Sequence, residues 1–216
     1  MSFNRYNRDR ILRLFPYINN KTQFNKLKID NDSIAYITPK EFAEKISQII
    51  ISHVFKLEME PENIIITDAT AGVGGNTISF AKYFKHVHAI ELDKERAEFL
   101  ENNLSIYNIT NTTVYNYNCL TCTPNILDHN IIFIDPPWGG KGYKTHKKLR
   151  LKIDDLDIET ICNNFMNSEL MKKVPDLLIL KLPINYDIKY LYDLVKGCRM
   201  YLYELDKMIV IVIEKI

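Results

Sequence analysis

The residues best suited to chemistry form the stretch Asp135-Pro136-Pro137-Trp138-Gly139-Gly140, which holds the only tryptophan of the chain. The stretch follows the apolar run Ile131–Ile134, whose length and flanking turn residues are typical of a buried parallel strand. The carboxyl ends of such strands form the edge at which open α/β sheets bind ligands. A carboxylate, an indole, two φ-locked prolines and two glycines therefore indicate a binding site there. The alternative is a loop whose tryptophan only packs on the core.

A second candidate is the glycine-rich loop Asp68–Thr77, which follows the β-branched run Ile64–Thr67. Glycines let a backbone approach a ligand closely, and a helix that follows them offers free N–H groups at its start. The spacing differs from the Gly-x-Gly-x-x-Gly fingerprint of dinucleotide sites. Glu91, however, ends the next predicted strand, His86–Ile90, where a carboxylate can bind both hydroxyls of a ribose. Loop and acid together predict a nucleotide-type site, with a structural turn as the alternative.

The elements that must position these residues alternate between helices and strands. Thr38 as N-cap, Pro39 as first helical residue and Glu41 as capping-box partner predict a helix that ends before Pro61. Further helices are predicted at 94–107, 157–172 and 187–196, and further strands at 113–117, 177–182, 199–204 and 207–214. The last two strands must be antiparallel because the connection between them is too short for a crossover. The order predicts an α/β fold.

Composition limits the class of protein. The chain has 216 residues, of which 46% are hydrophobic and 25% charged, as in a globular protein with one main domain. No apolar run is long enough to span a bilayer, and no hydrophobic signal-peptide region follows Met1–Arg5. We therefore expect a soluble, intracellular monomer with no membrane partner, in the nucleus or the cytoplasm.

Cysteines and histidines do not predict a metal site. The cysteines have no disulfide-framework spacing, and their one Cys-x-x-Cys pair lacks the second pair that a zinc site needs. Three histidines have no cysteine or carboxylate partner in the pattern, which indicates structural roles. We expect free thiols and no metal. The residues concerned are Cys119, Cys122, Cys162, Cys198, His86, His88 and His129.

Two basic segments stand out in a chain whose net charge is only +1. Residues 1–28 contain a single acid, Asp9, and residues 141–152 contain none. The basic residues are Arg5, Arg8, Arg10, Arg13, Lys21, Lys26 and Lys28 in the first segment and Lys141, Lys144, Lys147, Lys148, Arg150 and Lys152 in the second. Such local clusters favour binding of phosphate over general polyanion binding; solvated, mobile segments are the alternative.

These motifs together resemble those of class I methyltransferases that use S-adenosylmethionine, and more narrowly those of the trimethylguanosine synthase family of RNA cap guanine-N2 methyltransferases. The resemblance extends from about Arg10 to Lys207. Its specific part is the combination of Gly72–Thr77 with Pro136–Gly140, because an Asp-Pro-Pro-aromatic turn alone occurs in many enzymes that methylate amino groups. Further matching segments are Arg13–Phe15, Thr38–Pro39, Ala43–Ile46, Ala89–Asp93, Asn102–Asn103 and Tyr143.

The resemblance implies a Rossmann-like, seven-stranded, mostly parallel sheet with an antiparallel final hairpin. An N-terminal extension at 1–37 would cover the cofactor, and the methyltransferase domain would span 38–216. The enzyme would methylate the exocyclic N2 of 7-methylguanosine in an RNA 5′ cap, forming di- or trimethylguanosine and S-adenosylhomocysteine. Two other functions stay open, namely methylation of amino groups on internal guanine or adenine of RNA or DNA, and an inactive cap- or RNA-binding module.

The resemblance also implies roles for single residues. Asp135 and the Pro136 carbonyl would accept hydrogen bonds from the target amine, and Trp138 would stack on the methylated guanine. Glu91 would bind the cofactor ribose, and Phe15 with Thr38 would close over the cofactor. Its other contacts would come from Asp68, Ala69, Gly72, Gly74, Asn76, Thr77, Asn118 and Asp135. On the substrate side, the further candidates are Tyr143, Asn185, Arg5 and Arg8.

Two positions depart from the family pattern. The turn Leu182–Asn185 carries Ile184 where the family has an arginine, and isoleucine cannot bind phosphate. Lys181, Lys144 or the N-terminal arginines would replace it, or cap affinity would be weaker. Asn118 stands near the place of the family's acid for the adenine amino group, and its side chain or a backbone group would make that hydrogen bond instead.

Overall fold

The architecture comes from a computed structural model that describes residues 5–215, without the side chains of residues 5–9 and 141. The chain divides into two units, Met1–Cys119 and Leu120–Ile216. The predicted boundary between residues 37 and 38 is a different division, and it stays a prediction.

The first unit contains helices that alternate with three parallel strands. Its strands pair in the order β3-β2-β1. The helices are α1 (Arg5–Leu14), α2 (Lys21–Phe24), α3 (Ser33–Tyr36), α4 (Lys40–Lys56), α5 (Gly75–Phe80) and α6 (Lys94–Ile106). The strands are β1 (Ile65–Asp68), β2 (His86–Ile90) and β3 (Thr112–Tyr115), and Pro61–Asn63 forms a 3₁₀ turn.

The division between the units falls within α7 (Cys119–Cys122), so the second unit begins at Leu120. Its β4 and β7 are parallel, whereas β9 is antiparallel to both β7 and β8. The strands are β4 (Ile131–Ile134), β5 (Lys152–Ile153), β6 (Leu156–Asp157), β7 (Leu177–Pro183), β8 (Cys198–Leu205) and β9 (Met208–Lys215). The helices are α8 (Ile158–Phe165) and α9 (Ile188–Leu194), with 3₁₀ turns at Thr123–Asn125 and Gly140–Thr145.

Seven strands form one sheet in the order β3-β2-β1-β4-β7-β9-β8, and β5 pairs with β6 in a separate two-stranded sheet. The sheet confirms the predicted α/β fold with a mostly parallel sheet and an antiparallel final hairpin. Every residue of β4 and of β7 is buried, as expected of apolar runs in a sheet covered on both faces. Lys181 of β7 is the one charged residue in these two strands, and its side chain is only 3% exposed.

The N-terminal segment packs into the core of the first unit. Ile11, Leu14 and Phe15 recur at helical spacing and are buried in one cluster with Ala71 and Val73 of the glycine loop. The hydroxyl of Tyr107 also donates to the Pro16 carbonyl at 2.7 Å. Apolar residues between positions 11 and 27 therefore contribute to the core of this unit.

Two predicted boundaries are wrong. Helix α4 begins at Lys40, with Pro39 as its N-cap and no side-chain capping bond, so the predicted N-cap at Thr38 and its capping box do not form. The Thr38 hydroxyl instead accepts from Asn76 Nδ2 at 3.1 Å, a tertiary contact that overrides the local pattern. Helix α8 ends at Phe165 and not near 172, because Asn167 accepts from Glu169 N at 2.9 Å and starts a turn.

No helix within residues 5–215 is long and apolar enough to cross a bilayer. In that same part of the chain, no group of three histidine, cysteine or acidic side chains is arranged to hold a metal ion. Burial raises the pKa of Cys122, Cys162 and Cys198, which keeps these free thiols protonated at neutral pH and poorly reactive.

Candidate active site

The loop between β1 and α5 depends on glycine in two different ways. Gly72 and Gly74 have φ angles of +54° and +104°, which side chains strongly disfavour. A Cβ on Gly74 would lie 2.8 Å from Leu100 Cδ1, and one on Gly75 would lie 2.6 Å from Ile37 Cγ1. A Cβ on Gly72 would meet nothing within 4 Å. Gly74 and Gly75 therefore serve packing, whereas Gly72 borders open space into which a ligand can fit.

Glu91, at the end of β2, is connected to this loop by backbone hydrogen bonds. Its Oε2 accepts from Gly72 N at 2.8 Å and its Oε1 accepts from Asp93 N at 2.9 Å. These bonds fix the orientation of the half-buried carboxylate. A carboxylate has about four lone-pair sites, so each oxygen can still accept from a hydroxyl. The geometry fits a carboxylate that binds the two hydroxyls of a ribose.

Asp68 is completely buried at the end of β1, and its carboxylate organises the loop. Thr77 Oγ1 donates to Asp68 Oδ2 at 2.6 Å, and Thr70 N donates to Oδ1 at 3.4 Å. Thr77 is also fully buried. Both residues therefore hold the start of α5 against the end of β1, and a direct contact of either with a cofactor stays a prediction.

Asn76 provides a test of whether the loop suits a charged ligand. The residue is 6% exposed, and its Nδ2 donates to Thr38 while its Oδ1 is buried without a hydrogen-bond partner. A buried carbonyl oxygen without a donor costs free energy, which a ligand N–H can recover. The amino group of the methionine part of S-adenosylmethionine is such a donor. The residues present thus fit the expected cofactor.

The other predicted cofactor residues of the first unit occupy different surroundings. Phe15 is 0% exposed and belongs to the apolar cluster with Ala71 and Val73, and Ala69 is buried within the loop. Asn118 is half-buried between β3 and α7. The structure brings Phe15 to the glycine loop, and the contacts of these residues with a cofactor stay predictions.

Two asparagines that the sequence analysis did not assign to the site hold its backbone. Asn103 is 0% exposed; its Nδ2 donates to the carbonyls of Val73 and Lys28 at 3.0 and 2.9 Å, and its Oδ1 accepts from Lys28 N. Asn116 Nδ2 donates to the carbonyls of Glu91 and Leu92, each at 2.9 Å. A polar residue between Leu100 and Leu104 on the buried face of a helix was the signal for Asn103.

In the second unit, Asp135 directly follows β4 and forms a short ion pair. Its Oδ2 lies 2.6 Å from Lys181 Nζ, and the two side chains are 14% and 3% exposed. The strand register explains the pair, because Ile134 aligns with Leu180 and each charged residue is the next one along its strand. Lys181, one of the alternatives considered for the missing phosphate-binding arginine, thus has its ammonium buried against a carboxylate.

Trp138 lies in the same turn, half-buried, with its ring against two polar side chains. The Lys181 ammonium is over the indole, 4.6 Å from its centroid, and the Tyr143 ring contacts it edge to face at 5.2 Å and 74°. The indole Nε1 is buried without an acceptor among the described residues. Pro136 is buried. The structure thus places Asp135, Pro136 and Trp138 in one turn and brings the Tyr143 ring against the indole.

Asn185 connects the turn after β7 to the segment after Trp138. Its Nδ2 donates to the carbonyls of Tyr143 and His146 at 2.8 and 2.7 Å, while its Oδ1 is buried without a partner. The backbone continues the connection, because Leu149 N donates to the Asn185 carbonyl at 2.9 Å. Asn185 therefore positions Tyr143, and only its Oδ1 is left for the predicted contact with substrate.

A buried pair supports the turn that carries Asn185. The hydroxyl of Tyr186 donates to Glu159 Oε1 at 2.6 Å, and both residues are buried. Burial, followed by the hydrogen bond to Glu159, raises the pKa of Tyr186 far above its usual value. Tyr186 is therefore a neutral donor at physiological pH and holds the turn on α8.

The second basic segment remains on the surface. Lys144, Lys147 and Lys148 are exposed, and Lys144 Nζ lies 5.8 Å from the Tyr143 ring centroid. Arg150 instead stacks on Tyr190, with its Cζ 3.4 Å from the ring centroid. Ile184 is 43% exposed, so an apolar side chain stands at the position of the family's arginine. The side chains of Arg5 and Arg8 lie outside the described residues.

Sequence comparison connects the chain to one family. A model of the RNA cap guanine-N2 methyltransferase family matches residues 63–211. An uncharacterised protein of Acanthamoeba polyphaga mimivirus is 37% identical over 94% of this chain and 84% of its own length. Trimethylguanosine synthases of Schizosaccharomyces pombe and Saccharomyces cerevisiae are 32% and 26% identical, over 53% and 83% of this chain. The alignments cover 47% and 57% of these two synthases, so the chain spans about half their length.

Solved structures show the same fold. Precorrin-6y C5,15-methyltransferase of Geobacter metallireducens has a TM-score of 0.57 at 15% identity, covering 87% of this chain and 97% of its own. A Streptococcus mutans protein described as a methyltransferase, solved in complex with SAH, has a TM-score of 0.52 at 17% identity over 78% and 97%. At these identities the likeness concerns the fold alone, which is that of class I methyltransferases.

Proposed function

This chain belongs to the RNA cap guanine-N2 methyltransferase family, and we propose that it methylates the exocyclic N2 of 7-methylguanosine in an RNA 5′ cap. The observation that supports this most is the turn after β4, where a half-buried indole and a carboxylate share one neighbour, Lys181. A flat aromatic ring to stack on a base and an acceptor for its amine are what methylation at N2 of guanine requires.

The first unit supplies the groups that would hold S-adenosylmethionine. That cofactor, when bound, supplies a methyl group on a positively charged sulfur, which needs no further activation. Glu91 would accept from the ribose hydroxyls while it keeps its bonds to the N–H groups of Gly72 and Asp93. The buried Oδ1 of Asn76 would accept from the amino group, and the open space beside Gly72 would admit the chain between them.

Asp135 and the Pro136 carbonyl would orient the amine. The lone pair of an exocyclic arylamine is delocalised into the ring, so the amine is a poor nucleophile and positioning supplies most of the catalysis. An oriented reaction gains on the order of 7 kcal/mol over an unoriented one. Acceptors that bind the N–H groups direct the lone pair toward the methyl and stabilise the positive charge that develops on nitrogen. Asp135 can do this without being a strong base.

Trp138 would bind the guanine. Base stacking on an aromatic side chain contributes about 1–3 kcal/mol, and a positively charged base adds a cation–π contribution of about 0.5–2 kcal/mol. A 7-methylated guanine carries such a charge. The exposed ammonium groups of Lys144, Lys147 and Lys148 would attract the triphosphate of the cap, which compensates in part for Ile184.

The test is methyl transfer from labelled S-adenosylmethionine by the purified protein, with a 7-methylguanosine cap analogue and uncapped RNA as separate acceptors. We expect label in the cap analogue and none in the RNA. Label in uncapped RNA that the cap analogue does not reduce would favour an internal amino-group methyltransferase. Binding of the cap analogue without binding of the cofactor would favour an inactive cap-binding module.

A further inference from the structure

Lys181 is a buried charge in a strand whose other residues are all apolar. It lies in β7, where Leu180 and Leu182 on either side are 0% exposed, and its own side chain is 3% exposed. Removing an ammonium from water costs several kcal/mol unless it is paired. A leucine at this position would continue the apolar run of the strand at no such cost. The role of this lysine is therefore to be sought in the contacts of its ammonium group.

Those contacts are with two candidate site residues. The ammonium lies 2.6 Å from Asp135 Oδ2 and 4.6 Å from the centroid of the Trp138 ring. Parallel pairing of β4 with β7 places Asp135 and Lys181 side by side, so the contact follows from the strand register. One cation thus neutralises the carboxylate that would accept from the amine and lies over the indole on which the base would stack.

Both contacts reduce the contribution that a positive charge on the base makes to the free energy of binding. A carboxylate that is already paired attracts a second cation less, since its charge is balanced at short distance. An indole with an ammonium over one face offers less to a cation on the other face, because the two positive charges repel each other. A neutral guanine is not affected in this way, because its stacking depends mainly on dispersion and on the buried area of the rings.

We propose that Lys181 is a positioning residue that sets the selectivity of the site for base charge, holding Asp135 and Trp138 and lowering the preference for 7-methylguanine over neutral guanine. This inference rests on the proposed function, because it concerns the base that stacks on Trp138. It assigns to Lys181 a role in substrate choice in place of the phosphate contact that was one of the alternatives for it in the sequence.

The test compares Lys181→Gln, which removes the charge but can still donate to Asp135, with Lys181→Arg, which keeps the charge. Lys172→Gln, at an exposed position, is the matched control. The quantity measured is the ratio of kcat/KM for a 7-methylated cap analogue to that for its unmethylated counterpart. We expect Lys181→Gln to raise this ratio about threefold or more, the scale of a cation–π interaction. Lys181→Arg and the control should stay within about twofold of the starting protein.

Binding gives a second readout that does not require turnover. Trp138 is the only tryptophan, so quenching of its fluorescence reports affinity for 7-methylguanosine triphosphate and for guanosine triphosphate at this site alone. The ratio of the two dissociation constants should shift in Lys181→Gln as the kinetic ratio does. Circular dichroism and the thermal midpoint show whether each variant is folded. If Lys181→Gln does not fold, Lys181→Met provides a second neutral variant.

The outcomes separate the two proposals. Methyl transfer to the cap analogue with an unchanged ratio in the neutral variants overturns the role of Lys181 and leaves the proposed function standing. A shifted affinity ratio in a protein that transfers no methyl group overturns the proposed function and supports the role of Lys181. A shift of equal size in Lys181→Arg would mean that shape and not charge is responsible, which also overturns the inference.

Discussion

Glu91 and Asp135, the candidate carboxylates that follow strands in the two units, are held by different means. In the first unit, Glu91, Asp68 and Asn103 direct their side chains to backbone groups of the glycine loop and its neighbours. In the second, the Lys181 ammonium contacts both Asp135 and the Trp138 ring, and several other lysines are exposed. A side chain that holds the backbone of a site by hydrogen bonds cannot be changed without loosening the fold. A side chain whose contacts are with other side chains can be changed with less effect on the fold.

The sharpest expression of this contrast is Trp138→Ala. Because stacking and orientation of the base depend on the indole, kcat/KM for the cap analogue should fall by about 100-fold or more. The ring is half-buried, so the free energy of unfolding should change by no more than about 2 kcal/mol. Transfer assays and chemical denaturation measure the two quantities. Trp138→Phe, which keeps a flat ring, should retain part of the activity; a larger loss of stability would make the indole a core residue.

In the first unit, Glu91→Gln should reduce cofactor affinity and stability together. The variant loses the charge that orders the N–H groups of Gly72 and Asp93, so we expect cofactor binding to weaken about 10- to 100-fold and unfolding free energy to fall by about 1–3 kcal/mol. Calorimetry with S-adenosylhomocysteine and thermal unfolding provide the measurements. Glu95→Gln, at an exposed position of α6, is the control. If Glu91→Gln bound the cofactor more weakly but kept its full free energy of unfolding, the two units would not differ in the way described.

Asn185→Ala tests the connection within the second unit. Loss of two hydrogen bonds to the carbonyls of Tyr143 and His146 should loosen the segment after Trp138 and raise KM for the cap analogue about fivefold, with a smaller change in kcat. Steady-state kinetics measure both constants. Asn163→Ala removes one exposed hydrogen bond at 3.3 Å and should leave them unchanged. An unchanged KM in Asn185→Ala would show that the segment holds its shape without the amide.

The smallest effect is expected from the exposed lysines. Changing Lys147 and Lys148 to glutamine should raise KM for the cap analogue about threefold at low salt and less at high salt, because contacts with phosphate weaken as counterions compete. Stability should not change. Lys172→Gln controls for general loss of positive charge. Equal effects in the control and the double variant would mean that the segment 144–148 has no particular role in binding phosphate.

The sequence was sufficient to predict the position of residues that directly follow a strand. Glu91 and Asp135 each end an apolar run, and runs of that kind become parallel strands whose carboxyl ends carry ligand sites. Thr38 shows where local patterns fail: its capping sequence is good, yet the amide of Asn76, distant in sequence, uses the hydroxyl instead. The ion pair of Lys181 depends on the register of β4 and β7, which no local pattern contains. Its only sequence signal was a charge inside an apolar run.

The central claim is tested most directly by mass spectrometry of cap dinucleotides, with and without prior methylation at N7, after incubation with the protein and S-adenosylmethionine. Digestion to nucleosides then locates the added methyl group. We expect methyl groups on the exocyclic N2 of the 7-methylated cap guanine. Absence of any added methyl from both dinucleotides, or a methyl group at another position of the guanine, would contradict it.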